Sequence, residues 1–181
     1  SDEPRYYGII SKPTTQNDIE SSWFSYWCKE LESAPIYHRK LWEYAFILQA
    51  LFENNMLIQG KKCIGFGCGR EPLASYFASK KINVIVSDLD PERVAGKGWA
   101  KTNQHTTVKS VAFHPNLISS EIFDEYVDHE YIDMNNLPSF ENKFDYCWSV
   151  CALEHLGSIQ NGLDFVCNSL DVLKPGGIAV H

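Results

Sequence analysis

Three glycines alternate in the segment Cys63-Ile64-Gly65-Phe66-Gly67-Cys68-Gly69-Arg70-Glu71-Pro72, where an apolar run gives way to a helical pattern. Glycine there lets the backbone turn sharply and approach a ligand with no side chain between, and the start of the next helix offers unpaired N–H groups. Pro72 suits the first turn of that helix. The turn serves either a ligand or only a tight strand-to-helix connection. A second apolar run, Val84-Ile85-Val86-Ser87, ends in Asp88, nineteen residues after Gly69. A carboxylate at that place can accept two hydrogen bonds from a ribose diol. The alternative is that Asp88 or Asp90 caps a helix beginning near Pro91. Asp90 is the expected cap and Asp88 the expected ribose ligand.

The spacing of the glycines separates cofactor classes. A dinucleotide fingerprint wants Gly-x-Gly-x-x-Gly. Counted from Gly65 the sixth position is Arg70, and counted from Gly67 it is Pro72, so neither frame completes it. A phosphate-free cofactor therefore fits better than a nicotinamide dinucleotide, and an NAD-dependent oxidoreductase is the enzyme alternative. Glu154 and His155 follow a later apolar run, at the end where open α/β sheets bind ligands. Histidine titrates near working pH and suits a base that activates a hydroxyl. His155 and His181 are the candidate bases, the other reading of His155 being a ring held structurally in its loop. No further ligands match Glu154 and His155, and Cys147 and Cys151 lack a second spaced pair, so no metal is expected.

These groups need a sheet to hold them, and the periodicity supplies one. From Lys62 onward short apolar runs alternate with helical stretches, the signature of an α/β fold with a Rossmann-like parallel sheet. Strands are expected at Cys63–Phe66, Asn83–Ser87, Glu130–Ile132, Phe144–Ser149 and Gly177–His181, with helices at Pro72–Lys80, Pro91–Thr102 and Ile159–Leu173. Right-handed crossovers place helices on both faces. Residues 103–129 read as an insertion, a lid or an edge decoration, with a short helix at Ser119–Tyr126. Residues 1–60 read as an arm of some eighteen residues plus a helical extension, ahead of a core over 61–181. In the extension Ile19, Trp23, Trp27 and Leu31 recur every four residues, and after Pro35 the positions Leu41, Tyr44, Ala45, Leu48 and Phe52 carry a second helix to about Asn55. Trp23, Tyr26, Trp27, Tyr37 and Trp42 either wall an acceptor pocket or fill the core.

Composition narrows the partners. At 181 residues, 44% hydrophobic and 22% charged, the chain has the makings of one sizeable core, and no apolar stretch is long enough to cross a bilayer. A formal net charge of -7 disfavours nucleic acid, which is bound through clustered Lys and Arg. Most of the six cysteines sit in apolar runs, as reduced core residues do. With no signal-like N-terminus, the expected location is cytoplasmic and the expected partner a small molecule rather than a membrane.

From about Lys61 to the end the sequence resembles the class I, Rossmann-like S-adenosylmethionine-dependent methyltransferases. Gly65-Phe66-Gly67-Cys68-Gly69 resembles their first motif and Val86-Ser87-Asp88-Leu89-Asp90 their second. Tyr131 to Pro138 is similar to the segment that holds the adenine, which implies Asp133 facing the exocyclic amine and Met134 either on the ring or in the core. Phe144 to Ser149 with Ala152 to Leu156 is similar to the fourth strand and its loop, and Leu173 to Gly177 to the turn before the fifth. The resemblance implies S-adenosyl-L-methionine as cofactor, bound by Gly65, Phe66, Gly67, Cys68, Gly69, Glu71, Asp88, Leu89, Asp133, Met134 and Ser149. It implies methyl transfer to a small-molecule or sugar acceptor, with a hydroxyl preferred, or else a non-catalytic binding module.

Two departures stand out. Relatives often carry an acidic residue two before the middle glycine, where it binds the cofactor's ammonium group, and here that position is Gly65. Glu71 stands where many relatives have glycine, and its carboxylate either supplies that contact or compensates the helix N-terminus. The family's sheet has seven strands, whereas this sequence reaches only the fifth, so strands 6 and 7 are expected to be absent and the edge exposed.

Overall fold

The computed structural model describes residues 4–90, 108–140 and 143–181. The strands are β1 (Lys62–Phe66), β2 (Asn83–Asp88), β3 (Val127–Tyr131), β4 (Phe144–Ser149) and β5 (Leu173–Val180). They form one sheet in the order β3-β2-β1-β4-β5, every neighbouring pair parallel. Helices are α1 (Gln16–Ile19), α2 (Ser22–Glu30), α3 (Arg39–Glu53), α4 (Leu73–Ser79), α5 (Val108–Val111), α6 (Ser120–Tyr126) and α7 (Ile159–Ser169). The Rossmann-like parallel sheet expected from the sequence is thus present. The expected helix Pro91–Thr102, and with it the capping role of Asp90, lies outside the described residues.

Successive strand side chains point to opposite faces, and this sorts the interior into two cores. Cys63, Val84, Val86, Tyr146 and Trp148 pack with residues of α2, α3 and α4 on one face. Ile64, Phe66, Phe144 and Cys147 pack with Phe165 of α7 on the other. The chain steps from β1 out to β3 on one side and then to β4 and β5 on the other. The carboxyl ends of β1 and β4 therefore flank the switch point, where such sheets bind ligands.

Several boundaries differ from expectation. β3 begins at Val127, inside the segment read as an insertion, because an exposed edge strand shows no apolar alternation and only pairing with β2 defines it. The rest of that segment's described part decorates the edge: the Ser75 hydroxyl donates to Ala112 O at 2.8 Å and Phe113 meets Phe123 at 5.2 Å. α7 stops at Ser169, where a 3-10 turn takes over. β5 starts at Leu173 rather than Gly177, since Pro175 and the glycines bulge out between the pairs Phe144 with Leu173 and Tyr146 with Ile178.

The arm is also tied down. Glu53 accepts the N–H groups of Tyr7 at 2.8 Å and Ile9 at 3.0 Å, and Gln49 Nε2 donates to Arg5 O at 2.8 Å. No periodicity announces such ties, because the partners are single side chains far away in the chain. Gln49 is fully buried, and its Oε1 also accepts from Trp27 Nε1 at 2.6 Å. Gln49→Ala strands that indole N–H in the core and releases the arm, so we expect a loss of about 2 kcal/mol. Urea unfolding measures it, and a change under about 0.5 kcal/mol would mean the indole finds another partner.

Candidate cofactor cleft and adjoining cavity

The chain leaves β1 through two residues in the left-handed region, Gly67 at φ 62° and Gly69 at φ 51°. A methyl group on Gly67 would lie 2.9 Å from Ala152 Cβ and 3.5 Å from Met134 Sδ. Glycine at 67 thus lets three loops converge, those after β1, β3 and β4. The loop is pinned to β2: Cys68 N donates to Ser87 O at 3.0 Å, and the Asp88 carboxylate accepts Gly69 N at 3.3 Å and Leu89 N at 2.9 Å. Above it opens a cleft of about 350 Å³. Its lining is partly apolar, with the Met134 thioether and Ile132 beside the backbone of Gly67 and Gly69.

Gly67, Cys68, Gly69, Glu71, Asp88, Leu89, Met134 and His155 all line this cleft. Gly65, Phe66, Asp133 and Ser149 do not. Gly65 is packed against the Trp148 ring and the Cys68 sulfur, so that any side chain there would overlap them. Phe66 is fully buried, edge-on to Phe165. Asp133 turns its Oδ1 back to the Asn135 N–H at 2.9 Å, shaping its own loop. Ser149 faces a different cavity.

Glu71 is 4% exposed, and its Oε1 accepts from the Trp148 indole N–H. Burial pushes its pKa up to about 8, against the lowering effects of the Trp148 and Cys68 hydrogen bonds and of Lys40. Its carboxylate is turned toward Trp148 of β4.

A second cavity, of about 280 Å³, lies between α3 and the loop after β4. Arg39 spans its mouth, with Nε 3.3 Å from Glu43 Oε1 and Nη2 3.3 Å from Glu154 Oε1 and 3.0 Å from Cys151 Sγ. Cys151 Sγ in turn donates to Glu43 Oε2 at 3.1 Å. His181 borders this cavity, its Nδ1 2.8 Å from Ser149 Oγ and its Nε2 2.8 Å from Ser169 Oγ. Although His181 as a whole is exposed, its ring is enclosed enough that burial lowers its pKa to about 4. Of the front aromatics only Trp42 lines this cavity. Trp23 and Trp27 are core residues, Tyr26 stacks edge-on against Trp27, and Tyr37 is exposed.

Cys151 and Ala152 wall both spaces, so cleft and cavity are neighbours across one turn. Beyond Trp42, sequence reasoning missed what α3 contributes: its Lys40 and Tyr44 reach the cleft and its Arg39 and Glu43 the cavity. The polar side of an amphipathic helix reads as a solvated face, and no local signal distinguishes water from a site.

Residues 64–181 match the model of a family described as a methyltransferase domain. A comparison with curated proteins gave no match. Among solved structures the chain is similar to an S-adenosylmethionine-dependent methyltransferase from Clostridium acetobutylicum, at 19% identity over 86% of this chain and 54% of that one, with a TM-score of 0.51. It is also similar to a SAM-dependent methyltransferase from Geobacter sulfurreducens in complex with S-adenosyl-L-homocysteine, at 19% identity over 72% and 45% of the two chains and a TM-score of 0.45. At such identities the likeness concerns the fold. The chain spans less than half the length of several structures it matches. Since the family match covers well over half of the 181 residues, the chain belongs to the methyltransferase domain family.

Proposed function

We propose that this chain binds S-adenosylmethionine in the cleft over Gly67 and Gly69 and transfers its methyl group to a small-molecule or sugar hydroxyl held in the adjoining cavity. The supporting observation is the shared wall at Cys151 and Ala152, which puts an acceptor space beside a nucleoside-shaped one. When bound, the cofactor supplies an electrophilic methyl group on a sulfonium with a neutral leaving group. The protein's part is then mainly positioning, which brings nucleophile and methyl to about 3 to 3.5 Å in line.

Asp88 meets the ribose diol: a carboxylate has about four lone-pair sites, and the Gly69 and Leu89 N–H groups use only two. Met134 lies against the adenine. Arg39, Glu43 and Trp42 give the cavity both charge and an aromatic wall, which suits a hydroxylated acceptor. Of the two candidate bases, His155 is favoured. It lines the cleft and ends the 3-10 turn Leu153–His155, whose Leu153 and Glu154 line the cavity, whereas His181 has both ring nitrogens engaged by serine hydroxyls and a pKa of about 4, too low for a base at neutral pH.

Titration calorimetry with S-adenosylmethionine, S-adenosylhomocysteine and NAD tests the cofactor, and binding of NAD alone would overturn the reading. With a methylated acceptor in hand, His155→Ala is expected to lower kcat about 100-fold at neutral pH and leave cofactor affinity unchanged. An unaltered kcat removes His155 from the chemistry.

A further inference from the structure

The first motif carries glycine at position 65, where relatives often have the acid that pairs with the cofactor's ammonium group, and the structure gives a physical reason. The Trp148 indole and the Cys68 sulfur occupy the space that a side chain at 65 would need. Trp148 is fully buried in β4, the neighbour of β1, with Gly65 and Trp148 directly paired in register. Its N–H is aimed at Glu71, which enters the cleft from the far end of the same glycine loop. Both groups that bond Glu71 are neutral, the Trp148 indole and the Cys68 thiol. Among the described residues no Lys, Arg or His nitrogen lies within ion-pair distance of its carboxylate.

A carboxyl group that is 4% exposed, lines a ligand cleft and has no described cation within ion-pair distance can take a ligand's cation. Resting on the assignment of this cleft to S-adenosylmethionine, we infer that Glu71 is the carboxylate that meets the ammonium group of the cofactor's amino-acid end, held in place by Trp148. The exchange is reciprocal. Glycine at 65 admits the indole, the indole orients Glu71, and the acid moves from one end of the glycine loop to the other.

The exchange has a measurable consequence. Glu71 is buried, and the cost of desolvating its charge outweighs the neighbouring groups that favour it. Asp88 of β2 repels the charge and Tyr44 of α3 adds none to offset it, while the Trp148 and Cys68 hydrogen bonds and Lys40 of α3 act in its favour. With its pKa raised by burial to about 8, Glu71 is largely protonated in the free protein at pH 7, and pairing with an ammonium group expels that proton. The sign follows directly. The cation binds the ionised form, so affinity rises with pH below the pKa of the free protein, about tenfold between pH 6 and pH 7, while the ligand's amine stays protonated.

The experiment is calorimetric titration of the full chain with S-adenosylhomocysteine and with 5′-methylthioadenosine, which lacks the amino-acid end, in buffers of differing ionisation enthalpy. We expect release of about one proton at pH 7 with S-adenosylhomocysteine and none with methylthioadenosine. Glu71→Gln keeps an oxygen for the Trp148 N–H, and should abolish the proton release and weaken S-adenosylhomocysteine about tenfold while leaving methylthioadenosine unchanged. Equal affinity and equal proton release in wild type and variant would overturn the inference. So would a wild type that binds S-adenosylhomocysteine with no proton release and no pH dependence, whatever the variant does. Failure of both nucleosides to bind the wild type would instead remove the cleft assignment, and this inference with it.

Discussion

Gly65→Asp, which places an acid where the family resemblance leads one to expect it, is expected to destabilise the protein by about 5 kcal/mol. Two costs add. Even a methyl group at 65 overlaps the Trp148 ring and the Cys68 sulfur, both of which lie in a core with no slack, and overpacking of this kind costs about 1–3 kcal/mol. The carboxylate adds a buried charge beside Glu71 with no cation to pair with it, a defect worth about 3 kcal/mol or more. Denaturant unfolding at neutral pH measures the sum, and Gly65→Ala isolates the steric part. The same reasoning predicts coupling. Trp148→Ala alone leaves a large cavity and costs about 3–5 kcal/mol, but in that background the overlap is relieved and only the charge cost of Gly65→Asp, about 3 kcal/mol, remains, so the double-mutant cycle departs from additivity by about 2 kcal/mol. A Gly65→Asp protein within about 1 kcal/mol of the wild type would show that Trp148 can move aside, and the reciprocal arrangement of residues 65, 71 and 148 would fall.

Gly67→Val is expected to reduce affinity for S-adenosylhomocysteine about 1,000-fold or more while leaving a folded protein. At φ 62° a β-branched residue is strained by roughly 1–2 kcal/mol, which a domain of this size can survive. The larger effect is steric. The added Cβ stands 2.9 Å from Ala152 Cβ and 3.5 Å from Met134 Sδ, and two further methyl groups crowd the same cleft-lining side chains. Gly69→Ala is the informative companion. Gly69 has a similar φ of 51°, but a methyl group there meets nothing within 4 Å. It pays the backbone strain without the obstruction, so its stability loss should match while its affinity falls about tenfold at most. Calorimetry on the two variants separates the effects. Equal losses of affinity would place the ligand away from Gly67.

The chain itself settled the outline. Short apolar runs alternating with helical periods implied a parallel sheet, and three glycines followed by an acid at the end of the next strand located the cleft, because the periodicity of an element and a tight turn depend on neighbours in sequence. Gly67, Asp88 and Met134 were legible for that reason, and all three face the cleft. The tertiary structure alone decided the rest. β3 has four exposed residues in succession, and only its pairing with β2 makes it a strand. The ties of the arm to Gln49 and Glu53, the turning of α3's polar side toward the cavity, and the filling of the Gly65 space by Trp148 each join residues dozens of positions apart. Such contacts leave no period in the sequence, because one side chain meeting another across a core is a matter of shape, and shape exists only once the chain has folded.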